Sequence, residues 1–130
     1  MRKAILLIGI DMVDIERLKL VVTRTPRFLE RVFTANELQY CYGKSNPYPS
    51  LAARFAAKEA FRKLHTDFIK GVRFHDVEVI NQAMGKPELL VHGQALKQCR
   101  AHQIKELSMS ISHTHHQAIA VVIATERMVP

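Results

Sequence analysis

Hydrophobic and polar positions change period several times along the chain, and each change marks an element. Ile5 to Ile10 is a continuous apolar run, the pattern of a strand buried on both faces. Asp11 stands where that strand is predicted to end. Asp14 is placed to cap a helix from Ile15 to about Val22, whose Ile15, Leu18, Val21 and Val22 share one side. Thr34-Ala35-Asn36-Glu37 has capping-box spacing and predicts a short helix toward Tyr40. Tyr42 to Ser50, punctuated by Gly43, Asn46, Pro47 and Pro49, reads as a loop. Ser50 then caps a long helix ending near His65, and Thr66 to Val72 is a further loop.

Strand patterns dominate the second half. His75 to Ile80 alternates, with Val77 and Val79 on one face and Asp76, Glu78 and Ile80 on the other. Gly85-Lys86-Pro87 predicts a turn into a short strand at Glu88 to Val91. Gly93 to about His102 is a helix with Ala95, Leu96 and Cys99 inward. Leu107 to His113 and Ala118 to Ala124 are two strands joined by the four residues Thr114-His115-His116-Gln117. The order predicts an α+β class, one domain over residues 1–130, with a mostly antiparallel sheet packed against the long helix.

Charge sharpens this picture. The net charge of +7 favours acidic partners, whether nucleic acid, an anionic membrane, a polyanionic small molecule or an acidic protein. Arg17, Lys19, Arg24, Arg27 and Arg31 concentrate five of the cations around the first helix. No apolar run reaches the roughly 18–20 residues of a membrane span. Met1-Arg2-Lys3 before an apolar run mimics a signal peptide, but Asp11 interrupts that run and no cleavage site follows, so a cytoplasmic protein is expected. Cys41 and Cys99 have no CxxC spacing, which suits reduced thiols.

Three groups could carry chemistry. On the long helix Arg54, Lys58 and Arg62 form a basic ridge at steps of four, with Glu59 at the border of the apolar side. The ridge is either an anion site or a solvated face with an ordinary Glu59–Lys63 pair. Asp11 and Glu59 could supply two oxygens to Mg²⁺, or could cap a turn and pair with Lys63 respectively. Ser108, Ser110 and Ser112 share one strand face ending at His113, either lining a polar cleft or facing solvent. His115 and His116 are adjacent loop histidines without partners in sequence and are discounted as metal ligands.

In order, however, Gly9-Ile10-Asp11-x-Val13-x-Ile15-x-Arg17, Phe33-Thr34-x-x-Glu37, Arg54-Phe55-Ala56-Ala57-Lys58-Glu59-Ala60, Asp76-x-Glu78, Gly85-Lys86-Pro87 and Ser110-Ile111-Ser112-His113 make a specific set. With these the chain, from Ile8 to Ile123, resembles the 4′-phosphopantetheinyl transferase family in its short holo-[acyl-carrier-protein] synthase form. The resemblance implies transfer of the phosphopantetheine arm of coenzyme A, the co-substrate, to a serine of an acidic acyl carrier protein. It implies that Asp11 and Glu59 hold Mg²⁺, that Lys63 assists at the pyrophosphate, and that Glu59 serves as general base directly or through a water. Arg54, Lys58, Gly85-Lys86-Pro87 and Ser112-His113-Thr114 would then hold the adenine and the coenzyme's phosphates, and Arg17, Arg24 and Arg27 would dock the carrier protein. It further implies a single-copy unit assembling as a homotrimer with active sites between subunits, a role in fatty acid biosynthesis, and neither nucleic acid nor membrane as partner. Two readings compete: a basic nucleic-acid-binding module using the Arg17–Arg31 patch, and a Mg²⁺-dependent pyrophosphate hydrolase using the same carboxylates.

Overall fold

The computed structural model describes residues 3–82 and 84–128, so Met1 and Arg2 of the basic N-terminal triplet lie outside the described residues. Strand β1 (Lys3–Asp14) leads into helices α1 (Ile15–Arg24), α2 (Phe28–Val32), α3 (Ala35–Tyr42) and the long α4 (Tyr48–Arg62). Two 3₁₀ turns, Thr66–Phe68 and Phe74–Asp76, precede β2 (Val77–Asn81) and β3 (Pro87–Val91). Helix α5 (Gly93–Ala101) and the hairpin of β4 (Ile104–His113) and β5 (Gln117–Met128) complete the order. One sheet runs β1-β5-β4 and a second pairs β2 with β3, and every pairing is antiparallel.

Helix α4 is the axle of the fold. Ala56, Ala57, Ala60 and Phe61 pack under the main sheet against Ala120, Val122 and Ala124, while Leu51, Ala52 and Ala53 meet Ile15, Leu18, Val32 and Phe33 in a second cluster. Small residues on both sides let backbones approach closely. A Cβ on Gly9 would stand 1.8 Å from the Ala60 carbonyl oxygen, so β1 crosses α4 at this spacing only with glycine there.

The predicted capping signals hold. Asp14 Oδ1 accepts from the Arg17 amide at 2.9 Å. The Thr34–Glu37 capping box is complete and starts α3.

Four expectations need correction. β1 does not end at Asp11: its ladder with β5 continues through Asp11↔Ala120 to Asp14↔Gln117. Nor is β1 buried on both faces, since Leu6, Ile8, Ile10 and Met12 are 51–59% exposed on the side away from α4. The long helix begins at Tyr48 rather than at a Ser50 cap, because a proline in the first turn forfeits no helical hydrogen bond. The Arg54–Lys58–Arg62 ridge is not a surface ridge, because α3 and the β2–β3 hairpin cover that side of α4, burying Arg54 and Lys58.

Candidate active site

Two carboxylates from different elements meet in a cleft of about 480 Å³ between β1, α1 and α4. Asp11 projects from β1 and Glu59 from α4, and Arg17, Phe28 and Phe55 complete much of the wall. Lys63, at the C-cap of α4, reaches Asp11 Oδ1 at 2.8 Å and the Ile10 carbonyl at 3.1 Å. Arg62 pairs with Glu59 at 3.0 Å and lies over the Phe74 ring at 4.8 Å. The simple Glu59–Lys63 pair is therefore replaced by two: Arg62–Glu59 within α4, and Lys63–Asp11, which binds β1 to the end of α4. Both carboxylates are partly exposed hard oxygen donors on one cleft, a set that fits Mg²⁺ with waters completing its shell.

A second cleft, of about 310 Å³, brings together Arg54, Gly85, Lys86, Pro87, Ser110 and His113. Gly85, at φ 82°, makes the left-handed turn that presents Lys86. Arg54 is buried, donates to Asn81 Oδ1, and stacks 4.2 Å from the centre of the Tyr40 ring. Its Nε is buried with no partner among the described residues. Tyr40, Lys44 and Asn81 also line this cleft. The sequence pattern marks none of the three: Lys44 shows there only as a cation beside Gly43 in a stretch whose prolines predict a loop, and Asn81 carries no signal until β2 is known to end on it.

Ser112 and Thr114 do not join the second cleft. They line a separate groove with Met12, His116 and Gln117, and His113 borders both. Ser110 and Ser112 face outward on β4, whereas Met109 and Ile111 pack inward, as the alternation predicts.

Lys58 is withdrawn as a ligand for coenzyme phosphates. It is fully buried, pairs with Glu37 at 2.8 Å, and donates to the Phe74 and Val77 carbonyls. Burial pushes its pKa down against the opposing pull of Glu37. Glu37 in turn accepts from the Val79 amide at 2.9 Å, so the pair ties α4 to α3 and β2. Glu78 extends this network: Thr34 Oγ1 donates to it at 2.6 Å and His92 Nε2 lies at 3.1 Å. Burial raises the Glu78 pKa, but those hydrogen bonds outweigh it and the net shift is downward. Cys41 and Cys99 are buried free thiols, and burial pushes Cys99 up to about 11, so neither is poised as a nucleophile.

Arg17 stands in the wall of the Asp11–Glu59 cleft, while Arg24 ends α1 and Arg27 precedes α2, both exposed. No helix among the described residues is long and apolar enough to cross a membrane.

This α+β fold, with a two-carboxylate cleft beside a basic one, matches a known class. The model of the 4′-phosphopantetheinyl transferase superfamily matches residues 7–122, and the chain belongs to that superfamily. It is 44% identical over 117 residues to the holo-[acyl-carrier-protein] synthase of Geobacter sulfurreducens, covering 88% of this chain and 93% of the relative. The synthase of Caldanaerobacter subterraneus is 40% identical over 117 residues, covering 90% and 92%. Among solved structures, holo-[acyl-carrier-protein] synthase from Neisseria meningitidis superposes with a TM-score of 0.79 at 36% identity, covering 91% of this chain and 96% of that one. An ACPS–CoA complex from Chronobacterium ammoniagenes superposes with 0.83 at 30% identity, covering 94% and 98%.

Proposed function

We propose that this chain is a holo-[acyl-carrier-protein] synthase. It moves the 4′-phosphopantetheine arm of coenzyme A onto a serine of an acidic apo-acyl carrier protein in support of fatty acid biosynthesis. The observation that carries this reading is the single cleft in which Asp11, Glu59 and Arg17 converge with Lys63 at its edge. The serine oxygen attacks the pyrophosphate phosphorus that bears the pantetheine arm. The bond to the bridging oxygen breaks, and adenosine 3′,5′-bisphosphate leaves. Glu59, directly or through a water, takes the serine proton. Lys63, half exposed and able to swing from Asp11, meets the charge developing on the leaving phosphate.

Asp11 and Glu59 would hold Mg²⁺, which when bound neutralises charge on the pyrophosphate. The Arg54 and Lys86 cations in the wall of the second cleft suit a phosphate of the coenzyme's nucleotide, with Tyr40 and Pro87 offering flat surfaces nearby. Arg17, Arg24 and Arg27 form the carrier-docking edge, so association weakens as salt rises. A cytoplasmic setting goes with this substrate pair.

The two clefts share no residue, and Arg54 and Glu59 project about 140° apart on α4. One coenzyme reaching both kinds of contact therefore draws them from two copies of the chain. The exposed apolar side of β1 is where copies would pack, as a homotrimer, and Met12 joins that side to the Ser112–Thr114 groove.

The test is intact mass of an apo-acyl carrier protein after incubation with protein, coenzyme A and Mg²⁺. Addition of phosphopantetheine supports the reading. Consumption of coenzyme A with no carrier present would instead identify a pyrophosphate hydrolase.

A further inference from the structure

Away from both clefts, three elements close on a small polar cluster. His65 follows the end of α4, His102 caps α5, and Glu126 lies near the end of β5. Each offers a ligand atom, and all three atoms lie within 4.8 Å of one another. Glu126 pairs with Ile5 on β1, six positions along the ladder from the Ala120 that faces Asp11, so this place is distinct from the transfer cleft.

His102 is clamped on both sides. Its Nδ1 contacts Glu126 Oε2, and its Nε2 lies 3.0 Å from Asp67 Oδ2. A neutral imidazole has one N–H, so hydrogen bonds to both carboxylates need the charged ring. Even then two carboxylates face one positive charge. His65 Nδ1 accepts the Asp67 amide at 3.0 Å, so binding an ion through that nitrogen exchanges this hydrogen bond for the metal bond. The two rings stand with centroids 4.2 Å apart, braced on buried Phe68.

We propose that His65, His102 and Glu126 bind a divalent transition-metal ion, for which zinc best matches the two-nitrogen, one-oxygen donor set. The ion replaces the proton between His102 and Glu126, and Asp67 accepts from the other His102 nitrogen, the carboxylate–histidine–metal arrangement that fixes a ligand ring. Tetrahedral zinc with bonds of about 2.0–2.1 Å sets its ligand atoms roughly 3.3 Å apart, within reach of small side-chain rotations here. The ion balances the cluster's charge and staples α4, the Thr66–Phe68 turn, α5 and β5. Water takes the fourth position, and the ion's role is to hold these elements together.

The experiment titrates chelator-treated full-length protein, in excess Mg²⁺ to occupy the Asp11–Glu59 cleft, with Zn²⁺ by calorimetry and with Co²⁺ by visible absorption. One equivalent per chain is expected, with tetrahedral Co²⁺ bands and a thermal midpoint raised about 5–10 °C at a hundredfold excess over Kd. His102→Gln, Glu126→Gln and His65→Gln each weaken binding at least tenfold, and Asp67→Asn weakens it about 10–100-fold. Asp11→Asn and the double variant His115→Gln/His116→Gln keep it. Should His102→Gln fail to fold, the more exposed His65→Gln decides. Absence of stoichiometric binding overturns the proposal. So does binding that survives the three ligand variants, or that disappears with His115 and His116.

Discussion

Lys58 and Glu37 form an ion pair without solvent, joined to four backbone groups, the Thr34 and Val79 amides and the Phe74 and Val77 carbonyls. Removing one partner strands the other's charge in the interior, which costs far more than the pair contributes net. Lys58→Ala should lower unfolding free energy in urea by about 3–5 kcal/mol. Glu78 gives a pH signature of the same network. Its folded pKa lies below the ordinary 4.5, so the stability it adds is fully present above that value. That stability is lost as pH falls through the depressed folded value. In acid titrations of stability, Glu78→Gln should therefore show a shallower loss below about pH 4.5 than the parent chain.

At the scale of elements, Thr34 both caps α3 and donates to Glu78, so it fastens the helix start to β2. Thr34→Ala should cost about 1–2 kcal/mol, read as a lower thermal midpoint. Elements marked by local chemistry were legible in the sequence: the Asp14 cap, the Thr34–Glu37 box, the Gly85 turn and the Ser110–Ser112 alternation depend on a few neighbouring residues. The misread places depend on distant partners. Pro47 and Pro49 signal a loop as readily as a helix start, and tertiary packing of Leu51 to Ala53 favours the helix. Lys58 sits at a helical step that matches Arg54 and Arg62, and only the arrival of Glu37 from α3 turns it inward. The pairing of Asp11 with Glu59 is open on their chemistry alone, as two oxygen donors from different elements, and the ordered motifs favour it over a turn cap and an ordinary ion pair.

For the whole molecule, the apolar run Ile5 to Ile10 carries more hydrophobic surface than one chain buries. Its inner residues meet α4, while Ile8 and Ile10 remain exposed beside Leu6 and Met12. A continuous apolar patch of this kind on a folded chain marks a contact surface. Charging it tests the proposed assembly: Ile8→Lys should yield monomers by sedimentation and lower transfer at least tenfold, with the fold intact by circular dichroism. An assembled, active Ile8→Lys protein would separate the patch from function.

The central claim is that the Asp11–Glu59 cleft transfers phosphopantetheine to a carrier protein. Its most direct measurement is the carrier-dependence of coenzyme A turnover, followed as adenosine 3′,5′-bisphosphate released with and without apo-acyl carrier protein, in the parent chain and in Asp11→Ala. Release that requires the carrier, matches the modified serine one for one, and falls at least about a hundredfold in folded Asp11→Ala is the expected result. Release that ignores the carrier, or that persists undiminished in Asp11→Ala, would contradict it.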